Sequence, residues 1–100
     1  MVNRMDFQKN SMDIITHASE AKYYCFQAIR LYKEKKYELV HEQLLKAEEE
    51  LAEGSAAHLE ILQNEASTGE KDYSLLLIHA EDLLLTTSML KDFLQEFLIN

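Results

Sequence analysis

The chain has 100 residues, 47% of them hydrophobic, with two glycines and no proline. This length predicts a single domain over residues 1–100, and the abundance of Leu, Ala, Glu and Lys predicts an all-α fold. The formal net charge of −8 argues against binding to nucleic acid or to anionic lipid, because both attract basic surfaces.

Three features of the chain bear on its compartment. The single cysteine, Cys25, excludes an intrachain disulfide, and its position on an apolar helix face indicates a buried hydrophobe rather than a catalytic thiol. The longest apolar run, Leu75 to Ile78, is far shorter than the roughly 18 residues of a membrane span. Residues 1–10 are polar and lack the pattern of a signal peptide, so we expect a cytoplasmic protein.

The first predicted helix follows a segment without periodicity. Residues 1–10 are expected to be flexible, with Asn10 or Ser11 capping the helix. The charged run from Lys33 to Lys36 interrupts the helical pattern and predicts a turn. Between these limits, apolar and small residues recur every three or four positions, as on one face of a helix: Ile14, Ala18, Ala21, Cys25, Ala28 and Tyr32.

The second predicted helix covers about residues 37–66. The run Glu48–Glu50 points in three directions and therefore predicts a solvated face rather than a metal site. Gly54 and Ser55 interrupt the apolar stripe and predict a kink or a close contact. The stripe expected to pack against the rest of the chain consists of Tyr37, Val40, Leu44, Ala47, Leu51, His58 and Leu62.

A short polar link leads to the third predicted helix. Gly69 is expected to end the second helix, and Asp72 or Ser74 to cap the third, which continues to about Leu98. Three helices with short links predict an antiparallel up-down-up bundle.

The third helix carries two apolar stripes, which is more than a three-helix bundle of this size needs. One stripe is expected to face the other helices: Leu76, Leu83, Leu90, Leu94 and Phe97. The other would remain exposed in a single copy: Leu75, Ile78, Asp82, Leu85, Met89 and Phe93. We therefore expect the third helix to pack against copies of itself.

Asp82 is the polar residue in the middle of the second stripe. A lone polar residue in an apolar seam commonly sets the register and oligomeric state of a helical assembly. Parallel copies would bring their Asp82 side chains together, and neighbouring carboxylates then require a shared proton or a cation. A hard cation such as Mg²⁺ suits such a cluster. The alternative is that Asp82 simply faces solvent.

His79 precedes Asp82 by three residues and therefore lies on the same side of the helix, rotated by about 60°. This places the imidazole at the edge of the predicted seam, where it is partly dry but accessible. A neutral imidazole there can attack a phosphorus centre. The other histidines, His17, His41 and His58, are interpreted as structural.

The segment Ser74–Asp82, with Thr86, Thr87 and Lys91 after it, resembles the enzyme IIA component of the lactose/cellobiose (chitobiose) group of the sugar phosphotransferase system. That family carries a hydrophobic–Val/Ile–His–Ala–Gln–Asp–His–Leu–Met–Thr stretch in its third helix. The likeness extends over most of the chain, because segments of the second predicted helix are also similar: Ala47–Leu51 and Ile61–Ala66.

The resemblance implies a homotrimer assembled through the third helix, with His79 as the phosphorylated residue and Asp82 holding a metal ion such as Mg²⁺ on the trimer axis. It implies that His79 receives its phosphoryl group from the histidine phosphocarrier protein and passes it to a cysteine of enzyme IIB. Enzyme IIB in turn phosphorylates a lactose- or cellobiose-type disaccharide during uptake, so the membrane component IIC is only an indirect partner.

The sequence departs from the family pattern near His79. Glu81, a candidate supporting residue, stands where the family usually has Gln, and Leu83 stands where it has a second His. Ser55 and His58 stand where His and Gln are expected. A non-catalytic or regulatory helical trimer with impaired phosphotransfer is therefore the alternative, and a phosphotransfer domain of a two-component relay is a third.

Overall fold

A computed structural model describes residues 4–71 and 73–99 of the chain, which form three α-helices. Helix α1 spans Arg4–Lys33, α2 spans Tyr37–Thr68 and α3 spans Leu75–Leu98. The described residues contain no β-strand, which confirms the predicted all-α class. None of the helices in these ranges is both long and apolar enough to cross a bilayer.

Helix α1 begins earlier than the sequence pattern predicts. The prediction that the helix starts only after residue 10 is wrong, because residues 4–10 are helical, while residues 1–3 lie outside the described residues. The flexibility of residues 1–10 stays a prediction. Asn10 and Ser11 are buried within the helix and do not cap it. The physical reason is Phe7, which lies two turns before Ile14 on the same face and is buried with it.

The link between α1 and α2 is a tight turn at the predicted charged run. Lys35 has a φ of 63°, a left-handed conformation that it adopts without being a glycine. The backbone N–H of Lys36 donates to the carbonyl oxygen of Leu31 at 2.9 Å. Beside the turn, the rings of Tyr32 and Tyr37 meet edge to face, with their centroids 5.3 Å apart.

The link between α2 and α3 uses the predicted glycine and serine. Gly69 has a φ of 74°, and its backbone N–H donates to the carbonyl oxygen of Glu65, which ends α2. The Ser74 hydroxyl accepts a hydrogen bond from the backbone N–H of Leu77 and caps α3. Asp72, the other predicted cap, lies outside the described residues.

The core follows the predicted stripes of α1 and α2 along most of their length, but not at the ends of the stripes. Those end residues are exposed: Tyr32, Tyr37 and Leu62. Gly54 is buried on the α2 stripe, and a Cβ atom there would lie 3.0 Å from Cδ1 of Leu84 and 3.6 Å from Cβ of His17. The predicted close contact at Gly54 is therefore confirmed, since side chains of α1 and α3 meet α2 at this residue.

The predicted inward face of α3 is wrong by about one position. The residues that are buried include small and polar side chains: Leu77, Ala80, Leu84, Thr87, Lys91 and Leu94. Of the predicted inward stripe, only Leu94 is fully buried. The others are half-buried or exposed: Leu76, Leu83, Leu90 and Phe97. A pattern of large apolar residues misplaces the stripe, because the buried face also includes Ala80 and Thr87, which such a pattern does not count.

Candidate functional site

The outward face of α3 is an apolar strip that its own chain leaves uncovered. Asp82 lies exposed in the middle of it, and the rings of Phe93 and Phe97 stack at its end, with centroids 5.6 Å apart. The apolar members are between 55% and 83% exposed. Together these residues form what we call the outer strip: Leu75, Ile78, Asp82, Leu85, Met89, Phe93 and Phe97. The prediction that the second stripe is exposed in a single copy is thus confirmed.

His79 and Asp82 both lie on the exposed side of α3. Their three-residue spacing places them one turn apart on adjoining sides of the helix. Within the described part of the chain, neither side chain forms a hydrogen bond or an ion pair. The His79 imidazole is therefore accessible to a reacting group, and the Asp82 carboxylate is available to a ligand.

Glu81 is turned away from His79 and towards α2. Its Oε2 atom lies 2.7 Å from Nε2 of His58. An ionised carboxylate can only accept hydrogen bonds, so Nε2 of His58 is the donor. From the sequence alone His58 was interpreted as structural, and its pairing with Glu81 was not predicted because the two residues are 23 positions apart. The available signal was that His58 and Glu81 both depart from the family pattern.

A second histidine–carboxylate pair joins α1 to α2. Nδ1 of His17 lies 2.9 Å from Oε1 of Glu50, and both side chains are partly buried. This pair resembles the His58–Glu81 pair in distance and burial but does not include a residue of α3. His41, in contrast, is exposed on α2.

The predicted metal site depends on more than one copy of the chain. Across residues 4–71 and 73–99, no group of three or more His, Cys, Asp or Glu residues is arranged to hold a metal ion. Asp82 contributes one exposed carboxylate, whose oxygen atoms are of the kind that Mg²⁺ prefers. A cation held by Asp82 therefore requires carboxylates from several copies, and the metal stays a prediction.

The buried face of α3 carries one cation, Lys91, whose Nζ atom lies 3.6 Å from Oε1 of Glu48 and 3.8 Å from Oδ1 of Asp92. Cys25 is a free, buried thiol. Burial raises the pKa of the Cys25 thiol to about 11, and the charge of Lys91 acts in the opposite direction. Because the thiolate is the reactive form, Cys25 is not a nucleophile at neutral pH, and its predicted role as a buried hydrophobe is confirmed.

Comparison with known proteins identifies the family. Residues 9–99 match the family described as "PTS system, Lactose/Cellobiose specific IIA subunit". The chain is 31% identical over 97 residues to the oligo-beta-mannoside-specific EIIA component of the phosphotransferase system of Bacillus subtilis, covering 97% of this chain and 88% of that protein.

Solved structures with the same fold include PtcA from S. mutans, with a TM-score of 0.92 and 30% sequence identity, covering 97% of this chain and 95% of that one. The cellobiose-specific enzyme IIA from Bacillus anthracis matches with a TM-score of 0.87 and 26% identity, covering 98% of this chain and 88% of that one. The likeness thus extends over nearly the whole chain, in sequence and in structure. The chain belongs to the lactose/cellobiose-specific IIA family of the sugar phosphotransferase system.

Proposed function

We propose that the protein is a phosphocarrier that accepts a phosphoryl group on His79. Membership of the IIA family supports this role. The observation that carries it is the position of His79, which is exposed, free of side-chain partners in the described residues, and one turn from Asp82 at the edge of the outer strip. An imidazole with a free ring nitrogen is a competent nucleophile towards phosphorus.

The proposed route has two transfers. The histidine phosphocarrier protein donates, so that a bond from His79 nitrogen to phosphorus forms as the donor's nitrogen–phosphorus bond breaks. A cysteine of enzyme IIB then accepts, forming a sulfur–phosphorus bond as the one at His79 breaks. Both steps move an already activated phosphoryl group, so they require in-line positioning, charge stabilisation and partial exclusion of water. The final acceptor would be a disaccharide of the lactose or cellobiose type, entering through component IIC.

The proposed active form is a homotrimer in which three outer strips meet around a threefold axis. The support is the exposure of the strip, because a continuous apolar surface of this kind is unfavourable in water and typical of an interface. Within each subunit we propose that the helices run up-down-up. The ring contact of Tyr32 with Tyr37 beside the turn and the pairing of His17 with Glu50 farther along both helices support opposite directions for α1 and α2.

Asp82 is proposed to bind a divalent cation such as Mg²⁺ on the axis, where three carboxylates would otherwise repel one another. Isothermal titration with Mg²⁺ tests this directly. Wild-type protein should bind one ion per trimer, and Asp82→Asn should bind none. Equal Mg²⁺ binding by both proteins would show that Asp82 is not the ligand.

Labelling from phosphoenolpyruvate tests the phosphocarrier role. Incubation with the general components of the phosphotransferase system and labelled phosphoenolpyruvate should label wild-type protein and not His79→Ala. The matched control is His41→Ala, which removes another exposed histidine and should retain full labelling. Unlabelled wild type, or equal label on His79→Ala, would contradict the proposal.

A helical trimer that binds partners without carrying phosphate is the second candidate. Two observations favour it: Glu81 already accepts a hydrogen bond from His58, and neither Glu81 nor Leu83 can donate one to a phosphoryl oxygen. This candidate predicts a trimer in sedimentation experiments together with an unlabelled His79. Membership of the IIA family argues against the third possibility, a relay phosphotransfer domain.

A further inference from the structure

The contact between His58 and Glu81 ties α2 to α3 two residues from His79. The Nε2–Oε2 distance is 2.7 Å, and the side chains are only 26% and 42% exposed, respectively. In this partly dry position, an unpaired carboxylate would act on nearby charges more strongly than it would in bulk water. The hydrogen bond that Glu81 accepts from His58 therefore affects how strongly Glu81 repels a negative group that approaches.

Helix geometry indicates which negative group that is. Successive residues of an α-helix turn by about 100°. If Asp82 points to the proposed axis, His79 lies about 60° to one side of it and Glu81 about 100° to the other. Around a threefold axis of parallel helices, each flank of α3 faces the opposite flank of the next copy. His79 of one copy then faces Glu81 of its neighbour.

A phosphoryl group on His79 brings about two negative charges to this place. Glu81 alone would repel it, whereas a Glu81 oxygen held by the His58 N–H is directed to α2 and partly compensated. The resemblance places an uncharged Gln at both positions. The carboxylate at position 81 is thus accompanied by a second departure from the family pattern, the imidazole of His58 that holds it.

We infer that His58 is a positioning residue for phosphoryl transfer, which acts by holding Glu81 away from His79 of the neighbouring copy. The inference rests on the proposed function and on the proposed trimer. It adds a requirement that neither contains, namely that the carboxylate at position 81 is tolerated only when a donor occupies position 58.

Initial rates of labelling from phosphoenolpyruvate test the requirement. His58→Ala, which leaves no side-chain donor at position 58, should lower the rate about tenfold or more, because an uncompensated carboxylate beside the incoming group raises the barrier. The double variant His58→Ala/Glu81→Gln should recover most of the rate, because it removes the charge that needed compensation. The matched control is His17→Ala, which removes the comparable partner of Glu50 and should leave the labelling rate unchanged in the folded protein.

A purely structural pair would give a different result. His58→Ala would then lower the melting temperature without slowing the labelling of folded protein, and the second substitution would restore nothing. Labelling of His58→Ala at the wild-type rate, or a double variant no faster than the single one, overturns the inference. If wild-type protein takes up no label, the proposed phosphocarrier function is contradicted, and this inference, which depends on it, is contradicted as well.

Mixed trimers test the assignment to the neighbouring copy. His79→Ala subunits supply an intact His58–Glu81 pair, and His58→Ala subunits supply an intact His79. Trimers assembled from both should label faster per His79 than trimers of His58→Ala alone. No gain on mixing would overturn the assignment of the pair to the neighbour's His79.

Discussion

The two faces of α3 differ in a way that their hydrophobicity does not predict. The inward face contains an alanine, a threonine and a lysine, yet it is buried. The outer strip contains larger apolar side chains, including two phenylalanines, yet it is exposed. The difference teaches that shape, as well as apolar character, selects the face that this helix turns to its own bundle.

Small residues on the neighbouring helices explain the choice. Ala18, Ala21 and Ala28 of α1 are fully buried, and Gly54 of α2 leaves room for the end of Leu84. The narrow space between helices that approach this closely is best filled by small or slender side chains. The larger residues of α3 are then directed outwards, where copies of the same helix can cover them.

Adjacent leucines on the two faces provide the sharpest test of the comparison. Leu84 is 8% exposed and Leu85 is 69% exposed. Leu84→Ala should lower the free energy of unfolding by about 2–4 kcal/mol, since it leaves a cavity in the core. Leu85→Ala should leave the fold of a subunit intact and weaken the proposed trimer. Urea denaturation of dilute protein and sedimentation of concentrated protein measure the two effects, and equal effects of both variants would contradict the assignment of the faces.

The pKa of the Cys25 thiol depends on how completely water is excluded from the core beneath the inward face of α3. Its pKa is raised from 9.0 to about 11 in the folded chain, so folding favours the protonated thiol. The resulting stabilisation is complete below about pH 9 and is lost as the pH rises towards 11, by at most about 2–3 kcal/mol. Urea unfolding across this range should show a steeper fall for wild type than for Cys25→Ala. Parallel curves would indicate a wetter core than the structure has.

Gly54 tests the role of shape directly. Gly54→Val should cost about 1–3 kcal/mol of unfolding free energy, because even its Cβ would crowd Leu84. Ala56, two residues on and exposed, provides the control. Ala56→Val should cost less than about 1 kcal/mol, which is the difference in helix propensity. Thermal or urea unfolding measures both, and a neutral Gly54→Val would mean that the contact with α3 is loose.

Substitution of Asp82 tests whether apolar contacts or a bound cation hold the outer strips of the proposed trimer together. Asp82→Leu should leave the proposed trimer intact or more stable, because in that assembly it replaces a cluster of repelling carboxylates with apolar side chains. Analytical ultracentrifugation over a range of concentrations measures the change. Monomers would show instead that the cation maintains the assembly.

Local patterns of the sequence predicted much of this protein. Gly69 and Ser74 end and begin helices where expected, because capping depends on the backbone within a few residues. The period of apolar residues located the long helices, and the His79–Asp82 spacing placed both residues on the exposed side of α3. Residues 4–10 were missed because Phe7 is the only strong apolar signal in that part of α1.

Only the tertiary structure decided which face of α3 is inward and which residue pairs with Glu81. Both depend on residues distant in sequence: the alanines of α1, Gly54 and His58. Helical periodicity predicts that a face can be buried. It does not predict the shape of the neighbouring surface that covers this face. Likewise, a cross-helix hydrogen bond leaves no spacing signal along the chain, so His58 was interpreted as structural until the packing of α2 on α3 brought it to Glu81.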